Sequence, residues 1–500
     1  MKTNYARAFR SNHTWIVVSV LLTSLTLRWI LIFRGGQYYI SDETRYEVSR
    51  NAARFLLQSQ FGEALRQFTI SPEHFGFKVI GIIPALLEHI VGISLVFPAI
   101  SFSLFSVLNL YLIFLLAQRV APSSNEALYA IFIASSCLSL LYYSRHLFPY
   151  DMAMSFGLLA LYISLTQNQT AQTSLICGSL SFLCFITYNG YWSLAGFVML
   201  ANILMNGENV SRIVQKIIFT AIGFIAPLTF LIIVMQRLGT NMISAYRLFA
   251  ASITQGSFEE GWRLPFEYFW HTEHTVILIL GALSVIAIIS QFKDSRQDTK
   301  LWTGGVLFIY LCLFIPSVVL KYFVVYGRLA RQMIPFLVLL SAQGLVQLEH
   351  RAASGRRLTM IVLAFIFIQA AWNFMSSYNL NYPRQFVAEA KAQFPSFEFS
   401  SKRLAFGAPV LCQNHGYIME NAKYYVTPPE KIPQVHGQLL LSALHPSNFL
   451  PYQYDGDPPA IRQIFRTQKL RMNFYKVDKQ FMSETNPVWM AIKNCVVHEK

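Results

Sequence analysis

The sequence predicts a polytopic α-helical membrane protein of about eleven transmembrane helices, with a small C-terminal extracytoplasmic α/β domain. Three observations lead there. Charged residues make up only 13% of the 500, about half the ~25% of soluble chains, so too few exist to cover a water-facing surface. Hydrophobic residues reach 54%, with a mean hydropathy of +0.41. Long apolar runs recur through residues 1–374 and then stop. Disordered, collagen-like and disulfide-rich scaffolds are excluded on the same composition. The net charge of +15 fits short basic loops at a bilayer surface. No basic amphipathic helix interleaved with aromatics suggests a nucleic-acid partner.

The first run, residues 15–33, is long enough for a ~30 Å hydrocarbon core. It follows Lys2, Arg7 and Arg10 and has no small-residue cleavage site behind it, so it reads as a retained span with an inside start. Further runs lie at 97–118, 127–143, 152–166, 173–188, 191–206, 214–235, 275–292, 301–320, 333–348 and 358–374. Alternating sides puts Arg119, Arg212, Lys216, Lys293, Arg296, Lys300, Arg351, Arg356 and Arg357 inside, as the positive-inside rule asks. The loops 34–96, 144–151, 236–274 and 321–332, and the tail 375–500, then fall outside. Residues 75–94 carry Lys78, Pro84, Glu88 and His89. A crossing there would flip every later loop, so the segment reads as an interfacial helix.

The tail is richer in charge and is cut by Thr427-Pro428-Pro429 and Asp457-Pro458-Pro459. Segments such as KYYV and QLLLSAL between them read as strands of a small α/β domain. Cys412 and Cys495 are the two cysteines of that domain, and an oxidising compartment would favour their pairing.

Chemistry concentrates in the outside loops. Asp42 and Glu43 directly follow the first span and precede a helical pattern with Tyr46, Ala53 and Leu57 on one face and Arg50 and Arg54 on another. A partly desolvated carboxylate has a raised proton affinity and suits a general base. Asp42 equally suits a helix N-cap. Arg145 and Asp151 flank a tight turn as an ion pair or as substrate ligands. Lys321, Arg328 and Arg331 stand beside a span, where they either snorkel or meet a lipid phosphate. Tyr188, Tyr191 and Trp192 in TYNGYW suit interface anchoring or sugar stacking. His271, Glu273 and His274, with Glu73 and His74, have side chains able to donate to a divalent metal.

The string SDETRYEVSRNAARFL, residues 41–56, resembles the first-loop signature of GT-C glycosyltransferases. The resemblance is to the group of lipid A aminoarabinose transferases and protein O-mannosyltransferases. It extends in outline to YYSRHLFPYDMAMSFGLLALY, residues 142–162, and to YGRLARQMIPFLVLLSAQGL, residues 326–345. It implies an inverting sugar transfer from a polyprenyl-phosphate donor to an acceptor hydroxyl on the extracytoplasmic face. Asp42 is then the catalytic base with Glu43 beside it, and Lys321, Arg328 and Arg331 hold the donor phosphate. The acceptor implied is a glycolipid, glycan or protein of the cell envelope, and the home a bacterial inner (plasma) membrane. Members of the group differ in metal dependence, so a divalent cofactor stays open. A lipid-linked saccharide flippase is the alternative; it would favour mid-membrane charges and inverted repeats.

Overall fold

The structure, a computed structural model, describes residues 2–33, 45–69, 73–92, 96–121, 125–165, 170–205, 209–253, 264–294, 297–319, 327–351 and 354–375. In the tail it describes strand residues 410–411, 417–418, 424–427, 437–447 and 468–477. The described residues up to Met375 are mostly helical. Its elements are α1 (Lys2–Phe33), α2 (Tyr46–Leu57), α3 (Phe61–Gln67), α4 (Phe75–Ile80), α5 (Ile82–Val91), α6 (Val96–Val120), α7 (Glu126–Ser136), α8 (Leu138–Leu141), α9 (Tyr150–Ser164) and α10 (Ala171–Thr187). There follow α11 (Trp192–Leu204), α12 (Val210–Arg237), α13 (Met242–Ile253), α14 (Leu264–Glu273), α15 (Thr275–Asp294), α16 (Gln297–Phe314), α17 (Gly327–Ala330), α18 (Ile334–Arg351) and α19 (Gly355–Asn373).

The described residues of the apolar runs fall on helices, the run at 127–143 on two that are broken at Cys137. Among the described residues five helices are long and apolar enough to cross a bilayer: Thr14–Phe33, Val96–Val120, Val210–Arg237, Arg331–Arg351 and Gly355–Asn373. A sixth crossing is available if α7 and the segment Leu138–Arg145, bent 72° apart, act as one broken span. Tyr150–Ser164, Ala171–Thr187 and Thr275–Ser290 are shorter apolar helices. The chain is thus a helical membrane protein.

Hydrogen bonds sort the helix ends into two layers. At the Phe33 end, Arg28 donates to the Leu140 carbonyl (3.1 Å), His74 N to Asn189 Oδ1 (3.2 Å) and Ser193 Oγ to Gln332 Oε1 (3.0 Å). At the other end, Tyr129 donates to Glu349 (2.7 Å), Arg119 to the Leu165 carbonyl (3.3 Å) and Thr359 to the Leu345 carbonyl (3.4 Å). Each set joins residues that strict up–down alternation would bring to one side.

The ambiguous stretch 75–94 forms α4 and α5. Only Gly81 separates them, and neither is among the described helices long and apolar enough to cross a bilayer. The two helices pack inward. A Cβ at Gly76 would lie 2.5 Å from Thr187 Oγ1, and one at Gly81 would lie 2.5 Å from Ser49 Oγ.

The described tail residues form one antiparallel sheet of order β1-β2-β3-β5-β4. The strands are β1 (Val410–Leu411), β2 (Tyr417–Ile418), β3 (Tyr424–Thr427), β4 (Gly437–Ser447) and β5 (Gln468–Val477). Residues 424–426 of KYYV fall on β3 and QLLLSAL on β4. The helical share expected of an α/β domain falls on no described residue, and Cys412 and Cys495 lie outside the described residues.

Close packing between α10 and α12 depends on two glycines. A Cβ at Gly178 would sit 2.2 Å from the Thr220 carbonyl oxygen, and one at Gly223 would sit 2.2 Å from that of Leu175. Backbone cannot yield as a side chain can. Gly223→Val is therefore expected to destabilise the purified protein by about 2 kcal/mol or more. Gly196→Ala, whose Cβ would meet Phe308 at an ordinary 3.7 Å, is the neutral control. Equal thermal unfolding midpoints for the two variants would refute the close approach.

Candidate functional site

The Phe33 end of the bundle holds a buried layer of cations, acids and aromatic rings. It is built where α8, α9, α10, α11, α14 and α18 begin or end. Arg331 is fully buried just before α18. Its Nη2 pairs with Asp151 Oδ1, from 180 residues earlier in the chain. Its Nε donates to the Ser139 carbonyl at 2.6 Å, and its guanidinium carbon lies 5.4 Å from the Tyr143 ring centroid. Nη1 is buried without a hydrogen bond among the described residues. The Tyr191 hydroxyl lies beside this guanidinium, likewise without a well-formed hydrogen bond among the described residues. A buried guanidinium with a donor to spare suits an anionic oxygen.

Asp151 stands in the first turn of α9. Its side chain and backbone carbonyl both face Asn109 Nδ2, at 3.4 and 3.0 Å. Arg145 is also fully buried, in the single 3₁₀ turn Tyr142–Arg145. The ion pair expected within the 144–151 turn is thus made by Asp151 with Arg331.

Aromatic rings line the layer. Centroid distances are 5.1 Å for Tyr143–Tyr150, 4.7 Å for Tyr150–Tyr188, 5.1 Å for Tyr188–Tyr191 and 5.0 Å for His74–Tyr188. Tyr188 and Tyr191 are therefore buried packing partners at 6% and 0% exposure. Interface anchors would be open to lipid. Trp192 opens α11 and is half-buried.

A second group adjoins, on the segment after the first span. Ile32 and Tyr46, on either side of residues 34–44, share one apolar cluster with Leu147 and Met152. Arg50 forks onto Glu88, Nε to Oε2 and Nη2 to Oε1, both at 2.9 Å. The Tyr46 hydroxyl donates to Glu88 Oε2 at 3.2 Å. Burial and then the Glu88 charge push the Tyr46 hydroxyl far above its usual titration range. This clamp fixes α2 on α5. Leu57, expected on the packed face with Tyr46 and Ala53, is 56% exposed instead, because the buried face runs through Tyr46, Ser49, Ala52 and Ala53.

Lys78 is fully buried in α4. Burial lowers its amine to about 8; Glu73 acts in the opposite sense and Arg45 in the same one. At neutral pH it remains mostly a cation. Sequence reasoning missed it as a site residue: a lysine within FGFKVI served there only as a sign against crossing the membrane. The available signal was its place four residues after His74, with apolar residues on both sides. His74 has a left-handed backbone, φ 56°, a conformation that costs energy and clusters at functional sites.

Asp42, Glu43 and Lys321 lie outside the described residues. Arg328 belongs to α17, with its side chain outside the description. The helix after the acid pair starts at Tyr46, and Arg45 before it is already in helical backbone conformation, φ −56° and ψ −22°.

The metal site expected from Glu73, His74, His271, Glu273 and His274 is described only in part, because the His271 side chain lies outside the described residues. Among the described residues no group of three or more His, Cys, Asp or Glu could hold a metal ion. Glu273 is engaged elsewhere: Oε2 accepts from the Leu138 amide at 2.9 Å and Oε1 from the Ser139 amide at 2.8 Å. His74 is held by Asn189 and Tyr188. His274 lies in a left-handed turn after α14, φ 50°, and the His271 side chain is outside the description.

No protein-family model and no curated protein matches this chain.

Proposed function

We propose that the protein is a GT-C-type inverting glycosyltransferase, moving a sugar from a polyprenyl-phosphate donor to an acceptor hydroxyl at the extracytoplasmic face of a bacterial inner membrane. The observation that carries this reading is the convergence of Arg145, Asp151, Tyr188, Tyr191 and Arg331 in one buried layer. These residues come from distant segments, and the flanks of the Asp42–Glu43 segment share a cluster with Leu147 and Met152 of the same turn and helix. Asp42 takes the proton of the acceptor hydroxyl as its oxygen attacks the anomeric carbon. The bond from that carbon to the phosphate oxygen breaks, and the polyprenyl phosphate leaves with the electron pair. Its charge needs fixed cations in a dry site; Arg331 Nη1, Arg145 and Lys78 supply them, with Lys321 and Arg328 as further candidates. The tail completes a small extracytoplasmic domain over the acceptor side.

A flippase is the second reading. Against it, Arg145, Asp151, Glu273 and Arg331 all stand at helix ends, whereas transport sites put charge near the bilayer midplane. Mass spectrometry of lipid, glycan and glycoprotein fractions from cells with and without the gene tests the proposal. One acceptor class is expected to lose a sugar while the polyprenyl-phosphate sugar accumulates. Unchanged fractions in every class would reject it.

A further inference from the structure

A helix broken inside a membrane bundle frees backbone groups that lipid cannot satisfy. Here the break falls at Cys137, whose backbone is extended, φ −76° and ψ 115°. The segment Glu126–Arg145 contains no proline or glycine to cause it. Instead, side chains from four distant segments meet the freed groups. Glu273 takes the amides of Leu138 and Ser139. Arg331 Nε donates to the Ser139 carbonyl. Arg28 Nη2 and Ser106 Oγ donate to the Leu140 carbonyl, at 3.1 and 2.9 Å. Arg28, Glu273 and Arg331 are all buried to 1% exposure or less. Charges buried this deeply in a membrane helix bundle cost free energy, and a functional reason is the default expectation.

The consequence is directional. A straight helix would carry Arg145 about 12 Å further along the axis from Cys137. The 72° bend instead sends Tyr142–Arg145 across the bundle, where Tyr143 lies under Arg331 and beside Tyr150.

We propose that Glu273 is a positioning residue: with Arg28 and Arg331 on the neighbouring carbonyls, its carboxylate holds the helix broken at Cys137 and so sets Tyr143 and Arg145 in the buried layer. The purpose of this placement rests on reading that layer as the donor-phosphate site. Glu273 touches no substrate in this scheme and acts through the backbone of Leu138 and Ser139. A carboxylate is the matching group, because two adjacent amides need two acceptor oxygens. Glutamine offers one acceptor and turns an NH2 against the other amide.

The test uses the full chain in lipid nanodiscs, with Cys137 as its single cysteine. Two signals are read: N-ethylmaleimide labelling of Cys137, and binding of undecaprenyl phosphate. Cys137 is 1% exposed and is expected to stay unlabelled in the parent. E273Q is expected to label Cys137 and to bind the lipid phosphate about ten-fold more weakly, the size of one lost buried hydrogen bond. E273D keeps both oxygens on a shorter arm and should fall between them. It also serves as the working variant if E273Q fails to fold. Labelling and affinity unchanged in both variants overturn the proposal. Labelling gained with affinity unchanged overturns the positioning role and leaves the donor reading standing. A parent that labels slowly yet binds no lipid phosphate overturns the donor reading, and the labelling of E273Q then decides the clamp alone.

Discussion

Asp42→Asn is expected to slow sugar transfer by about 10²–10⁴-fold, the usual worth of a general base, while the protein inserts and folds as the wild type does. The substitution removes the proton acceptor and keeps the shape. Any local capping survives too, since asparagine caps as well as aspartate. The α2 helix that follows is secured by other means: Arg50 and Tyr46 hold Glu88 of α5, and Ser49 Oγ donates to the Lys78 carbonyl at 2.8 Å. Glu43→Gln should show an intermediate loss if Glu43 only orients the site. Arg328→Ala should raise the KM for the donor and leave that for the acceptor unchanged, because a phosphate ligand acts on one substrate alone. Purified Asp42→Asn protein that transfers sugar at the wild-type rate would remove Asp42 from the mechanism.

Much of the membrane architecture was legible in the sequence, and for a physical reason. An apolar run near twenty residues has few alternatives to a helix in lipid, so the described residues of the runs fall on helices, with the run at 127–143 split at Cys137. What escaped was set by contacts between distant segments. The string ASSCLSLL contains no helix breaker, yet α7 ends at Ser136, because Glu273, Arg28 and Arg331 capture the backbone beyond it. The spacing in WHTEHT suggested a metal, since local spacing cannot reveal that the Glu273 carboxylate faces amides 135 residues away. Likewise Asp151 looked like the partner of nearby Arg145, and its ion-pair partner comes from the start of α18. Lys78 and Glu88 were read as obstacles to a crossing; in the fold they are buried at 0% and 1%. Asp42 and Glu43 stood out by their position after the first span and by the resemblance of residues 41–56.

Breaking the Asp151–Arg331 pair is expected to produce the largest loss of stability. Both side chains are buried, at 8% and 0% exposure. Removing one partner leaves an uncompensated charge in the bundle, which typically costs about 3–5 kcal/mol. Asp151→Ala should therefore lower the thermal unfolding midpoint sharply, as it strands the Arg331 guanidinium against the Ser139 carbonyl and the Tyr143 ring. Arg331→Met should do the same from the other side, stranding Asp151 next to Asn109. The double variant carries no buried charge at this position and should recover most of the loss. Recovery stays incomplete, because the Ser139 carbonyl loses its Arg331 donor, worth about 1–3 kcal/mol when such a group is left buried and unpaired. Function should follow a different order. The double variant keeps the fold yet lacks the Nη1 donor, so it is expected to bind polyprenyl phosphate as poorly as Arg331→Met alone. Stability losses that simply add in the double variant would show that Asp151 and Arg331 do not act as a pair. Lipid-phosphate binding restored together with stability would show that Arg331 serves the fold alone.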